Sequence, residues 1–351
     1  MVVVGADVHK RSHTFVAVDE VGRRLGEKTV AATTEGHRAA VVWAHDRFGT
    51  ELMWGIEDCR NMSARLERDL LDADQSVVRV PTKLMAATRK SARTRGKSDP
   101  IDAEAVARAV LREPDLPAAS HDEVSRELKL LTDRRDVLVA QRTSAINRLR
   151  WNLHELDPGR EPAPRKLNAA THQQALRTWL DTAPGLVAEL ARAELDDVIR
   201  LCAEIAALAR RIGERVREVA PSLLAIPGCA ELTAAKIVGE AAGIARFKSE
   251  AAFSCHAGVA PIPVWSGQTA GPMRLSRSGN RQLNSAIHRI ALTQIRMPDC
   301  PGHAYYQRLI TKGKTSRRAR RCVKRHIARA VYRALLADDN TRHQAPQSAA
   351  A

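Results

Sequence analysis

The opening stretch "MVVVGADVHKRSHTFVAVDEVGRRLGEKTV", residues 1–30, decides the fold. "MVVVGADV" is a short apolar run, the pattern of a buried strand. "HTFVAVDE" and "GRRLGEKTV" follow, with a turn at Val21 and Gly22 between them, which is a hairpin pattern. Together the three segments predict an antiparallel meander.

Outward from there, "TTEGHRAAVVWAHDRF" (33–48) has helical periodicity and "ELMWGIED" (51–58) returns to strand. "SARLERDLLDAD" (63–74) is helical again, and "QSVVRVP" (75–81) is a further strand ended by Pro81. A basic segment from Lys83 to Lys97 then leads into a helix predicted from about Pro100 to Leu111. Three meander strands followed by αβαβα is the order of an RNase H-like α/β domain, expected over residues 1–112. In such a sheet the first and fourth strands are neighbours.

The 351-residue chain is long enough for two or three domains, and 44% hydrophobic residues predict a folded protein. Aromatics at 3% argue against a single-strand binder that relies on base stacking. The net charge of +16 is localised: from Pro261 to Arg333, 16 Lys and Arg face one acid, Asp299. The rest of the chain is nearly balanced. Such a region points to a nucleic-acid partner, with a solvated charged face as the plainer alternative. The six cysteines form no C-x-x-C pair, which fits a reducing cytoplasm and excludes the usual zinc spacings. Neither a signal peptide nor a membrane span is expected.

Residues 113–220 read as a helical, coiled-coil-like linker. "SRELKLLTDRRDVLVAQRTSAINRLRWNLHEL" (125–156) and "LDDVIRLCAEIAALARRIGERVREV" (195–219) are long amphipathic helices separated by "DPGREPAPRK". An antiparallel hairpin, a dimerising coiled coil and a plain connector all remain open. The third region, 221–337, is mainly helical. "LLAIPGCAELTAAKIVGEAAG" (223–243) has the layout of a helix-hairpin-helix turning at Pro227 and Gly228, which can offer backbone N–H groups to a DNA phosphate. An ordinary αα-hairpin reads the same way. The region ends in "RRARRCVKRHIARAVYRALL" (317–336), and the tail 338–351 is expected to be disordered.

Carboxylates carry the chemistry. In "TRGKSDPIDAEAVARA" (94–109), Asp99 is placed to be an N-cap, with Pro100 first in the helix and Asp102 third. Residues three apart also share a helix face, so capping and metal binding are compatible. Asp7 ends the first strand and Glu57 the fourth, so both emerge at one sheet edge, which the helix from Asp99 can cross. Four converging carboxylates are costly unless protonated or bound to divalent cations, and hard oxygen ligands favour Mg²⁺ or Mn²⁺. Two such ions suit phosphodiester chemistry. Asp58 points to the opposite sheet face by alternation, and Glu104 lies about 200° round the helix from Asp102. Arg93, Arg95 and Lys97 would draw substrate phosphates toward an otherwise repulsive acidic site.

"GADVHK", "IED", "RTRGKSDPIDAEAVARA" and "IPGCAELTAAKIVGEAAGIARFKSEAAFSCHAGVAPIPVWSGQTAGPMRLSRSGNRQLNSAIHRIAL" together resemble the DEDD transposases of the IS110 insertion-sequence family. The resemblance covers nearly the whole chain in the expected order. It implies a RuvC-like N-terminal domain with a D-E-D-D metal site, a coiled-coil linker and a C-terminal domain with a nucleophilic serine. It also implies strand exchange between donor and target double-stranded DNA, guided by a bridge-type noncoding RNA, in dimers that assemble to tetramers. By the family motif the acids are Asp7, Glu57, Asp99 and Asp102, and the serine is Ser266 in "VWSGQ". Two departures from the family pattern are "DCRNMS" after the glutamate and Trp265 before the serine.

From the residues alone, Ser266 is one hydroxyl among Ser276, Ser278 and Ser285. Gly267 permits close backbone approach, and Arg274, Arg277 and Arg281 could stabilise a phosphorane-like transition state. Arg317 and Arg318 extend the basic surface. Tyr305 and Tyr306 are rival nucleophiles that more simply pack a helix. Two other classes compete: a junction-resolving endonuclease using water, and a non-enzymatic nucleic-acid scaffold whose carboxylates cap helices.

Overall fold

The computed structural model describes residues 1–57, 62–81, 84–85, 88, 98–113, 116–163, 165–263, 265, 273–275 and 279–348. They form two compact units: residues 1–122 with 245–248, and residues 123–244 with 249–351.

The first unit is built on β1 (Val2–Val8), β2 (Ser12–Val18), β3 (Arg24–Ala31), β4 (Leu52–Glu57) and β5 (Ser76–Val80), ordered β3-β2-β1-β4-β5. β1, β2 and β3 pair antiparallel, while β4 and β5 run parallel to β1. This is the RNase H-like arrangement expected from the sequence. The β2–β3 turn closes on Asp19, whose Oδ1 accepts from Val21 N (3.1 Å) and Arg23 N (2.7 Å), while Gly22 takes the left-handed φ of 80°. The apolar alternation of each strand then sorts side chains to two faces.

One face buries Val4, Ala6, Phe15, Trp54 and Ile56 against α1 (Thr34–Phe48) and α2 (Ala64–Asp72). Thr33 starts α1 by accepting from Gly36 N at 3.1 Å. The other face buries Val3, Val16, Val78 and Val80 against α3 (Asp99–Arg112). Beyond α3 the chain returns along β5: Arg79 N donates to Pro117 O (3.0 Å) and Ala119 N to Val77 O (2.8 Å). That bridge covers the sheet edge and satisfies polar groups an open strand would leave bare.

In the second unit α4 (Glu123–Leu156), α5 (Ala170–Thr182) and α6 (Leu186–Val219) share a core of Leu138, Leu149, Leu153, Leu180, Leu195 and Val198. Arg148 near the end of α4 meets Glu194 near the start of α6 (Nη2 to Oε2, 2.9 Å), and Glu127 meets Arg215 (2.8 Å). The two long helices are therefore an antiparallel hairpin within one chain. α7 (Pro221–Leu224), α8 (Glu231–Ala241), α9 (Glu250–His256), β6 (Pro261–Pro263), β7 (Met273–Leu275), α10 (Arg281–Arg296), α11 (Pro301–Thr311) and α12 (Ser316–Ser348) follow. The linker and C-terminal regions cluster together because α8 lies flush on α4: a Cβ on Gly239 would stand 2.8 Å from Lys129 N.

One expectation is corrected. Of the tail expected to be disordered, residues 338–348 are the end of helix α12, and 349–351 lie outside the described residues. Buried Asp338 accepts from Ser222 N at 3.0 Å, and Arg342 donates to Val219 O at 2.6 Å, so the polar tail caps the α6–α7 junction. The expected Pro227–Gly228 turn is present between α7 and α8. It follows a helix of only four residues and packs on α10, where Gln294 Nε2 donates to Pro227 O at 2.8 Å. Gly228 has φ +81° and lies so close to Thr293 that a Cβ would stand 3.0 Å away. No helix among the described residues is long and apolar enough to cross a membrane.

Candidate active site

Parity along β1 places Val3, Gly5 and Asp7 on the face that α3 covers, and parity along β4 places Met53, Gly55 and Glu57 there too. Gly5 pairs with Gly55 and Ala6 with Ile56, so Asp7 and Glu57 stand at the C-terminal ends of neighbouring parallel strands. The two glycines let α3 settle onto the sheet. A Cβ at Gly5 would come within 2.1 Å of Ala103 O, and one at Gly55 within 2.6 Å of Val110 Cγ2. Asp99 and Asp102 continue the Ala103–Val106–Val110 stripe one turn toward the helix start, which carries them to the strand ends.

Asp7, His9 and Asp99 gather so that one ligand atom from each lies within 4.8 Å of the others. His9 Nε2 is 3.0 Å from Asp7 Oδ2 and 3.4 Å from Asp99 Oδ1. Asp102 is buried, at 6% exposure. Burial raises the Asp7 carboxyl above its ordinary value; His9 pulls it down through charge and hydrogen bond, and the carboxylates of Asp102 and Asp99 push it up. Asp7, Asp99 and Asp102 thus share one electrostatic site. Glu57 is half-buried at the adjoining strand end and is not a member of that close triad. Glu104 turns away to Arg108 (2.7 Å).

Capping does not explain these acids. Ser98, with φ −152° and ψ 156°, occupies the N-cap position, and Asp99 is already helical. A proline is tolerated at either of the first helical positions, since its missing N–H has no intrahelical partner there; the helix can therefore begin one residue before the expected start. His9 is the member that sequence reasoning passed over. Its only signal was nearness in sequence, two positions after Asp7 and just past the end of β1.

Ser266, Arg93, Arg95, Lys97, Arg277 and Asp58 lie outside the described residues. Arg274 pairs through its backbone with Ile262 across β6 and β7. Arg281 is exposed at the start of α10, as are Arg317 and Arg318 at the start of α12. Tyr305 stacks edge-on with His326 at 4.6 Å, and Tyr306 donates to Ser316 Oγ at 2.9 Å.

An RNase H-like sheet with carboxylates gathered at its strand ends defines the class of nuclease-type domains that act on phosphodiesters. Residues 4–158 match the DEDD transposase family model of the IS110 group, and residues 220–307 match the model described as Transposase IS116/IS110/IS902 family. The chain belongs to the IS110 family of transposases, with its DEDD N-terminal and its characteristic C-terminal domain. It is 28% identical to the 42 kDa protein of insertion element IS900 from Mycobacterium paratuberculosis, over 99% of this chain and 98% of that one. It is 27% identical to the 44.8 kDa protein of IS116 from Streptomyces clavuligerus, over 86% of each chain. Among solved structures, T. thermophilus RuvC in complex with Holliday junction substrate is similar over 34% of this chain and 99% of that chain, at 14% identity and a TM-score of 0.27.

Proposed function

We propose that this transposase carries out RNA-guided strand exchange between donor and target DNA, using a divalent-metal site of Asp7, Glu57, Asp99 and Asp102 and a serine nucleophile, Ser266. The observation that carries the reading is the meeting of Asp7, Asp99 and Asp102 at one sheet edge. Their donor set fits a divalent cation. The oxygens are hard, and the burial that chiefly raises the Asp7 carboxyl, with the like charge of Asp102 and Asp99 added to it, is a cost that a cation offsets. Mg²⁺ or Mn²⁺ held there would supply positive charge to the oxygens of the reacting phosphodiester.

The remaining steps belong to the chain. Ser266 Oγ attacks a DNA phosphorus and forms an O–P bond, while one bridging P–O bond breaks and its oxygen leaves with a proton. The hydroxyl proton passes to a nearby base, as serine nucleophiles require. The phosphoserine link conserves bond energy for the later strand joining. Arg274, Arg277 and Arg281 offset the charge of the phosphorane-like transition state, and exposed Arg317 and Arg318 hold flanking phosphates. Base pairing by a bridge-type RNA supplies the sequence choice, and dimers that assemble to tetramers complete the machinery.

The test is adduct trapping with element-end DNA, guide RNA and Mn²⁺. A denaturant-resistant protein–DNA species is expected from the native chain and from Tyr305→Phe and Tyr306→Phe. It should vanish in Ser266→Ala, in Asp102→Asn and on omission of the RNA. Adducts that persist in Ser266→Ala overturn the serine assignment, and cleavage that ignores chelator overturns the metal site.

A further inference from the structure

We propose that Glu240 is a positioning residue for strand transfer: through Asn280 it holds the neck of the segment 259–278 and ties that neck to the long helix α4. The proposal rests on Ser266, within that segment, being the nucleophile.

The neck is built from described residues on both flanks. Gly258 (φ +63°) and Gly279 touch backbone to backbone, so that a Cβ on Gly279 would stand 2.3 Å from Gly258 Cα. Asn280 N donates to His256 O at 2.7 Å, and Asn284 Nδ2 donates to Ala257 O (2.8 Å) and Gly258 O (3.1 Å). Lys324 Nζ in turn donates to Asn284 Oδ1 at 2.5 Å. The two flanks of the segment are therefore fastened to each other at one point.

Asn280 does two jobs there. Its Oδ1 caps α10 by accepting from Gln282 N (3.0 Å) and Leu283 N (2.9 Å), which fixes its amide nitrogen as the outward donor. That nitrogen donates to Glu240 Oε2 at 2.6 Å. Glu240 is 4% exposed, and its Oε1 meets Lys129 Nζ of α4 at 2.9 Å. A buried carboxylate is costly unless it is paired and hydrogen-bonded, and here the pairing joins three elements. A capping asparagine alone would need no buried acid behind it. The acid makes its orientation unique and links it to the helical hairpin.

The polarity of this bond gives a swap test in the full-length chain. Asn280→Asp keeps a good N-cap but sets carboxylate against carboxylate. Its rate of covalent adduct formation is expected to fall about 100-fold, the scale of a small misplacement of a reacting group. Duplex-DNA affinity and Mn²⁺ binding at the N-terminal site should stay unchanged. Adding Glu240→Gln restores a donor facing the new carboxylate, and the double variant is expected to recover most of the lost rate. Full activity in Asn280→Asp, or no rescue in the folded double variant, overturns the positioning role. Ser266→Ala run beside them separates the two ideas: adducts that survive it overturn the serine assignment and this role together. If Ser266→Ala abolishes adducts while Asn280→Asp does not slow them, only the positioning role falls.

Discussion

Gly5 of β1 lies against Ala103 of α3 with no room for a side chain: a Cβ would meet Ala103 O at 2.1 Å and Ala107 N at 2.5 Å. The neighbouring Gly55 meets only side chains of Val106 and Val110 at comparable range, with the nearest backbone atom 3.8 Å away. The approach of helix to sheet is what brings Asp99 and Asp102 to Asp7.

Gly5→Ala is therefore expected to lift α3 off the sheet, at about 1–3 kcal/mol as in other overpacked cores. Gly55→Ala should cost less, and Val110→Ala should relieve it, whereas no single side-chain truncation relieves Gly5→Ala. Urea unfolding with Mn²⁺ titration measures both effects. Equal penalties for the two glycines would contradict the packing described.

Asp7 should behave as a stability liability until a cation arrives. Its folded pKa lies above its unfolded value, so its contribution is favourable below the ordinary carboxylate range and is lost as pH rises through the folded value. At neutral pH, Asp7→Asn is expected to raise the Tm of the metal-free protein and to abolish the Tm increase produced by Mn²⁺. A variant that melts lower than the native chain in chelator would refute the electrostatic account.

His13 supplies a separate pH dependence. It is buried and stacked on His37 at 5.0 Å; burial, with the nearby His37 charge second, pushes its pKa down to about 4. The neutral ring's stability contribution is complete above about 6.5 and lost as pH falls toward 4, worth about 3 kcal/mol. His13→Phe should flatten the loss of stability between pH 7 and pH 4.5 in urea titrations. An unchanged slope would assign the acid sensitivity to other groups.

The cations of α12 divide into two sets. Arg317 and Arg318 are exposed, whereas Arg325 and Arg329 reach Glu250 at 3.3 Å and 2.7 Å. Alanine at Arg317 or Arg318 is expected to lower the salt dependence of duplex binding by about one counterion each. Alanine at Arg329 should lower Tm instead and leave the salt slope alone. Anisotropy titrations across a salt series distinguish the two sets, and a common slope change would erase the distinction.

Much of the first unit was legible because strand alternation and turn chemistry are local. Val21–Gly22, Pro81 and the parity of Asp7 and Glu57 could be read without knowing any partner. The start of α3 was misread by one residue, since Ser98 and Asp99 are both good caps and Pro100 fits either frame. The tail was misread because composition cannot show that Asp338 and Arg342 have helix ends to satisfy.

The sequence by itself determined the order of strands, the acid-bearing positions, the amphipathic helices and the concentration of positive charge, all properties of neighbouring residues or of totals. Only the tertiary structure decided that Gly5 and Gly55 admit α3, that His9 joins Asp7 and Asp99, and that Glu240 meets Asn280 across forty residues. Those depend on close approach between distant segments, which packing sets and periodicity does not encode.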